Sequence, residues 1–588
     1  MKRIGAVAVV GVLALAGGGT STAQGPPVEA FPAPGTKAAQ RGTEVSLRGI
    51  TPAAIGAVEV TGSRSGVHAG QILPHSDGNG ASFVPDRDFR PGERVTVRTD
   101  LNVSGTEAGD YRFTILRGEF ETGTRGADKR VPPARRGTYH AYRSDPTLRA
   151  PRLVVDRRRA GRAPGYLVMN TGWDDARPRP EGVLIATDDG EPVFFRRRTA
   201  ERKLFDVAVQ DYKGQQVLTY WEGRFAAGWG YGEYVMLDSA YREIARIGAL
   251  GGYRADIHDM QLTPEGTALV LAYNRVERDL RPWGGRRGGE ILDNVIQEID
   301  LETGRLLFEW HSLDHVKLGE SRDRPRGPDA WDYFHMNAVD VAPDGDLLVS
   351  ARNTCALYEI DRTSGAVHWT LGGRRSDFPM DRSTRFCRQH DARWISENEL
   401  TVFDNHIDSP ADGGESRAIK LRVDERRERV RLLRGYKHPA GPAAPNKGGA
   451  RLQANGNMLV AWGAIPMITE FTRTGRIVLN ARFAGATDGS YRAQRAAWVG
   501  RPATAPKVAA ETGDAGVRAW ASWNGATEVA RWELLGGATP ETLAPVGSAP
   551  RDGFETSLTA PGAFSYVAIR ALDASGMVLG TSVAVQPG

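Results

Sequence analysis

Three histidines and one arginine in the middle of the chain have the residue types and spacing for acid–base and anion chemistry. His335 and Arg352 bracket the segment HMNAVDVAPDGDLLVSAR, and His390 opens HDARWISENELTVFD. His258 holds the same place in an earlier copy of the pattern, ahead of MQLTPEGTALVLAYN. Residues equidistant from a hairpin turn face each other across an antiparallel pair. On that rule Arg352 is expected opposite His335, Asp404 opposite His390 and Asn274 opposite His258. Asn337, two residues beyond His335, is expected to line the same cup. Convergent titratable groups mark a site. A guanidinium among imidazoles disfavours a three-histidine zinc site and suits an oxyanion such as sulfate or phosphate. No metal and no cofactor is expected. Asp404, if beside His390, would fix the tautomer of that imidazole. His68, His75, His311, His315 and His438 lack this registration and are expected on the surface or in turns.

The elements that position these groups recur along the chain. From 151 to about 500 the unit is a strand, a tight turn, a second strand, a gap, then a strand with an acid–Thr–Gly-type turn and a closing strand. Four clear copies begin at MQLTPEG, AVDVAPDG, ARWISENE and ARLQANG, and two weaker copies precede them at YLVMNTG and DVAVQDYKG. Repeats of roughly 40–60 residues worth four strands each imply a β-propeller, here with six blades, whose innermost strands line the channel. The three histidines then share one rim. Short alternating strands at 43–116 and at 503–588 read as N-terminal and C-terminal β-sandwiches of immunoglobulin or fibronectin type. Residues 26–40 read as a flexible lead-in, and 117–150, rich in Arg, Gly and Pro, as a linker. The fold class is all-β, and Gly 70 and Pro 34 among 588 residues fit its many turns.

Residues 1–23 read as a secretory signal peptide: Met1-Lys2-Arg3, an apolar run from Ile4 to Ala16, and a small-residue cleavage site near Ala23. No stretch is long and apolar enough to span a bilayer, so the mature protein is expected to be secreted or extracytoplasmic. Export favours a disulfide between Cys355 and Cys387 over two buried thiols, and neither lies in a CxxC pair. Lys+Arg 76 against Asp+Glu 71 gives a net charge of +5. The basic runs at 157–162 and 426–434 read as solvated surface, and no nucleic-acid reading motif accompanies them. The oligomeric state is left open.

HMNAVDVAPDGDLLVSARN, EIDRTSGAVHWTLGGRRSDF and FCRQHDARWISENELTVFDN together resemble the arylsulfate sulfotransferase family of secreted β-propellers. The resemblance is good over about 256–462 and implies a six-bladed propeller with an N-terminal sandwich. It implies transfer of a sulfuryl group from a phenolic sulfate ester to a phenolic acceptor without a nucleotide donor, and no Walker pattern is present. Carried over residue by residue, His390 matches the nucleophile that becomes sulfohistidine. His335 and Arg352 match the groups that hold the sulfate oxygens and assist the leaving phenolate, and His258 matches the third family histidine. A neutral imidazole attacking sulfur gives a two-step, ping-pong path. The alternative is a non-catalytic secreted propeller that binds an anionic ligand or carbohydrate at the channel mouth. The C-terminal sandwich lies outside the family pattern. Cys355 follows Arg352 by three residues and Cys387 precedes His390 by three, so a bridge would tie the anion-binding half of the site to the nucleophile half.

Overall fold

In a computed structural model of the chain, residues 26–106, 109–117, 137–171, 181–199, 202–406, 414–485 and 489–588 are described. The signal-peptide reading, and much of the expected linker, lie outside these residues.

The protein is all-β. Among the described residues the strands of the central region pair into six four-stranded units, which we number as blades in chain order. Blades 2 to 5 each start at the channel with Lys203–Tyr212, Ala255–Leu262, Met336–Val341 and His390–Ser396. Blade 6 starts with Gly449–Leu452 and carries Leu153–Arg158 as a fifth, outermost strand. Blades 2 and 3 are joined into one eight-stranded sheet by the single pair Gly232–Ala255. Blade 1 departs from the repeat. Its first copy, Tyr166–Asn170, is not innermost, because Ala493–Ala496 from the far end of the propeller sequence pairs with it on the channel side.

Each space between neighbouring blades holds one apolar cluster. Leu357, Leu371, Leu400 and Leu421 fill the space between blades 4 and 5, for example, and Leu184, Phe195, Leu459 and Leu479 that between blades 6 and 1. Six such clusters close the ring. The recurring acid-to-Gly turn has a physical cause. Asp361 accepts hydrogen bonds from the backbone of Thr363 and Ser364 at 2.8 and 2.7 Å, and Gly365 closes the loop at φ +77°. Asp300 does the same for Glu302 and Thr303, with Gly304 at φ +70°. A short side-chain acceptor and a residue free to adopt the left-handed region are what this turn needs.

The residues before 43 do not form a flexible lead-in. Glu29–Phe31 pairs with Val45–Arg48, and Gln40 and Ala38 hydrogen-bond to Asn274 of blade 3. Two four-stranded sheets enclose a core of Val45, Val60, Val95 and Phe113 at this end. At the other end, sheets of three and four strands enclose Trp532, Leu534 and Ile569. Asn524 ties this C-terminal unit to blade 1 by bonding both the N–H and the C=O of Phe195, at 2.9 and 3.0 Å. The described part of the expected linker is packed as well. Tyr142 lies 4.4 Å from Phe554, and Arg143 stands 4.3 Å over Trp520. No helix among the described residues is long and apolar enough to cross a membrane.

Candidate active site

The inner strands of blades 2 to 5 each lose register with their neighbours where they carry polar residues. The irregularities fall between Phe205 and Ala208, Ala255 and Met260, Met336 and Ala338, and His390 and Arg393. Asp206, His335 and Asp391 sit at φ +45°, +58° and +54°, which re-aims their side chains. Bulges of this kind cluster at active sites because they turn a side chain out of the regular alternation.

His258, His335 and His390 are all buried, at 4, 8 and 2% exposure. The rings of His258 and His335 meet edge-on at 4.8 Å. Each of the three imidazoles is held by its Nδ1. His258 is held by Asp256, which also accepts from the His258 backbone N–H at 3.0 Å. His335 is held by Asp332. His390 instead faces Asn405 Oδ1 at 2.8 Å. The amide of Asn405 cannot be turned round, because its Nδ2 donates to the carbonyls of Ala444 and Lys447, both at 3.0 Å. Nδ1 of His390 therefore carries the proton and Nε2 the lone pair, which accepts from the Lys447 backbone N–H at 3.2 Å.

Arg352 lies opposite His335, its backbone N–H donating to the His335 carbonyl at 2.9 Å, in the register set by the bulge at Asn337. Its guanidinium reaches Asn353 Oδ1 at 2.8 Å and the Pro445 carbonyl at 3.3 Å. Burial first, then the Arg352 cation, hold the His390 imidazole well below its usual range, and Asn405 offsets this only in part. Burial, then His258 and Arg352, do the same to His335. Burial pushes the Asp332 carboxyl up to about 7. Tyr273 and Tyr491 wall the site, 5.8 and 6.0 Å from the His258 ring. The buried hydroxyl of Tyr491 has no hydrogen-bond partner among the described residues, the kind of group a ligand can satisfy.

Two expected neighbours are elsewhere. His390 pairs with Phe403, not Asp404, because the strand bulges after His390. Asp404 accepts from the Cys387 backbone N–H at 3.1 Å and from Arg417 at 2.9 Å, so it anchors the segment that leads into His390. Asn274 is carried beyond His258 by the bulge between Ala255 and Met260, and both ends of its amide are taken up by Gln40 and Ala38. Asn337 is fully buried between blades and donates to the Gln389 carbonyl at 2.7 Å. Cys355 and Cys387 form a disulfide with Cα atoms 4.4 Å apart, joining the segments after Arg352 and before His390. The histidines outside the register are not surface groups as a class: His68, His75 and His311 are buried, and His311 is held between Asp293 and Glu309.

Asp256, Asp332, Asn405 and Arg388 are not among the site residues expected from the sequence. An acid two or three residues before a histidine in successive blades was the available signal for the first two. Arg388, two residues before His390, forks onto Asp323 at 2.7 and 2.9 Å and shares Asn353 Oδ1 with Arg352.

Immediately below the histidines the same inner strands build a lattice of ions. Arg492 reaches Asp206 at 3.0 Å and Asp259 at 2.8 Å. Arg393 reaches Asp259 at 2.6 Å and Asp391 at 3.0 Å, and Arg451 reaches Asp391 at 2.7 Å. Burial alone would raise Asp259, but Arg393, Arg492 and Arg451 outweigh it and hold the carboxyl at about 2. The lattice plugs the channel and gives the histidines a floor.

The arylsulfotransferase (ASST) family model matches residues 208–484, which include His258, His335, Arg352 and His390. The match takes in the segment that builds most of the site. No curated protein matches the chain. Solved structures similar to it include a protein of unknown function from Bacteroides caccae, 13% identical with TM-score 0.35, covering 56% of this chain and 98% of its own. A periplasmic gluconolactonase of Pseudomonas aeruginosa is 12% identical with TM-score 0.31, covering 72% and 96%. A catalytically inactive variant of virginiamycin B lyase from Staphylococcus aureus is 10% identical with TM-score 0.30, covering 63% and 97%.

Proposed function

We propose that the protein is an exported aryl sulfotransferase that moves a sulfuryl group between phenols through a sulfohistidine at His390, without a nucleotide donor. The observation that carries this reading is the difference in Nδ1 partners. His258 and His335 are backed by carboxylates, which stabilise an imidazolium. His390 is backed by an amide, which fixes the tautomer but adds no charge. One ring is thus kept as a neutral nucleophile and two as proton carriers. The two rings meet edge-on at 4.8 Å, close enough to pass one proton between them.

In the first half-reaction Nε2 of His390 attacks the sulfur of an aryl sulfate monoanion, and the S–O bond to the phenolate breaks. The proton of the His258–His335 pair goes to the leaving oxygen, a contribution of about 10²–10⁴-fold for general acids. Arg352 stabilises the charge on the sulfuryl oxygens by preorganised electrostatics. The Lys447 N–H must leave Nε2 for attack and is then placed to donate to a sulfuryl oxygen. In the second half-reaction the pair takes the proton of an acceptor phenol, whose oxygen displaces His390 from sulfur. Tyr273 and Tyr491 offer the aryl group its walls. Residues 151–500 are the catalytic unit in this reading, with the flanking sandwiches as accessories. Intact-mass measurement after mixing with 4-nitrophenyl sulfate should show one added SO₃ on His390, discharged by phenol. A protein that releases 4-nitrophenol with no adduct, or releases none, overturns it.

A further inference from the structure

We infer that the outer strands of blade 5 form a docking surface for an extended sulfated polysaccharide, remote from the histidines. Arg417–Asp424 pairs with Arg429–Tyr436, and in this register Arg422 stands directly opposite Arg431 and Lys420 opposite Arg434. A bulge at Leu433 rephases the outer strand, so Arg429, Arg431 and Arg434 all fall on the face that carries Lys420 and Arg422. Like charges directly opposite each other destabilise a sheet. A solvated face would avoid this, as blade 2 does: its Arg202 and Arg246 are met by Glu222, Glu233 and Glu243. Two acids share this face on blade 5: Glu399 is consumed by Lys420 and Arg422 at 2.6 and 2.5 Å, and Asp424, opposite Arg429 in the register, bonds Arg427 at 2.9 Å. Arg429 and Arg431 are exposed with no carboxylate within ion-pair reach among the described residues. The turn carries charge as well, with Glu428 at φ +49° where blades 1, 3, 4 and 6 use Gly.

The face borders the groove towards blade 6, where Arg434 donates to the Thr474 carbonyl and Arg473 and Arg476 are exposed in the adjoining turn. It lies at the end of the strands opposite His390: the inner strand runs from His390 to Ser396 and returns from Glu399, which pairs with Arg422. Cations there stand about 4.8 Å apart across strands and about 6.8 Å along them. A two-strand ledge with that spacing fits a single chain bearing an anion on each sugar better than a duplex. Its occupant is independent of the catalytic reading.

The test is binding of fluorescent dextran sulfate, against uncharged dextran and a single-stranded oligonucleotide of equal charge. Wild type should bind dextran sulfate with an affinity that falls steeply with salt. The pair R431E and R434E should weaken it by about tenfold or more, while aryl-sulfate turnover is unchanged. R431Q and R434Q should weaken it less. R112E with R531E, equally exposed and charge-matched, should leave it within about twofold. No binding, equal loss in both pairs, or equal preference for the oligonucleotide would overturn the assignment.

Discussion

The histidine layer and the ionic layer beneath it are built by the same inner strands, one residue apart in places. His258 adjoins Asp259 and His390 adjoins Asp391. Yet the two layers treat charge in opposite ways. Below, three arginines and three aspartates are paired with distances of 2.6 to 3.4 Å. Above, Arg352 hydrogen-bonds to an amide and a carbonyl, and burial with that cation drives two imidazoles toward neutrality. The lattice holds shape; the layer above sets the Arg352 cation beside imidazoles held toward neutrality, a positive potential to offer a sulfate. The molecule separates rigidity from chemistry by one step along a strand.

The comparison can be broken at its upper layer first. His390→Ala should lower transfer by about 10⁴-fold or more, as loss of a nucleophile does elsewhere, with the thermal midpoint unchanged. Steady-state rates with 4-nitrophenyl sulfate and a melting curve check both halves, and a lowered midpoint would place His390 in the structural layer. Next in size is the lower layer. Arg492→Leu leaves buried carboxylates without their cation and should cost about 3–5 kcal/mol of stability. Denaturant titration reads this, and an unchanged midpoint would show that the lattice is dispensable.

Arg352→Lys keeps the charge but loses the fork. It should reduce transfer by about 10²–10³-fold, the size of losing one oxyanion donor, with no change in stability. The smallest effect sharpens the role of Asn405. With the His390 pKa held below its ordinary value of about 6.5, the neutral nucleophile persists as pH falls through that value, and the rate should decline only at lower pH. Asn405→Asp places a carboxylate on Nδ1, favours the imidazolium, and should move that acid limb toward neutrality. A coincident pH–rate profile in wild type and variant would remove Asn405 from its role. The stability sign agrees. His335 and His390 are held toward the neutral form in the native state and protonate in the unfolded chain below about 6.5. Their contribution is therefore intact above that pH and is lost as pH falls below it.

The strand pattern was legible because turn chemistry and alternation are local. The acid-to-Gly turns announced themselves, and so did the copies that became blades. The pairing of Arg352 with His335 was met by a different route: the regular pairs from Val341 to Ala338 centre on Asp344, and the bulge at Asn337 shifts the register by the one residue that brings Arg352 across from His335. Asp404 was misplaced because its hairpin bulges after His390, and counting back from a turn cannot see an inserted residue; Asn274 was misplaced first by the turn centre, since the pairs from Met260 to Leu262 centre on Glu265, and then further by the bulge. The ionic lattice was illegible for another reason. Arg393, Arg451 and Arg492 come from three blades, and a contact between blades leaves no periodicity in the sequence. Likewise, nothing local in Ala493–Ala496 says that it will pair with Tyr166–Asn170.

That last pairing governs the order in time of assembly. Arg492 enters the lattice with the strand that closes the ring, so the floor under the histidines is incomplete until nearly the whole propeller has been synthesised. Closing so long a loop is slow compared with forming any one blade from its own neighbours. The blades can fold as they emerge, but the site comes into being last. A chain cut short before its closing strand would carry every catalytic side chain and still lack the arginine on which their floor depends.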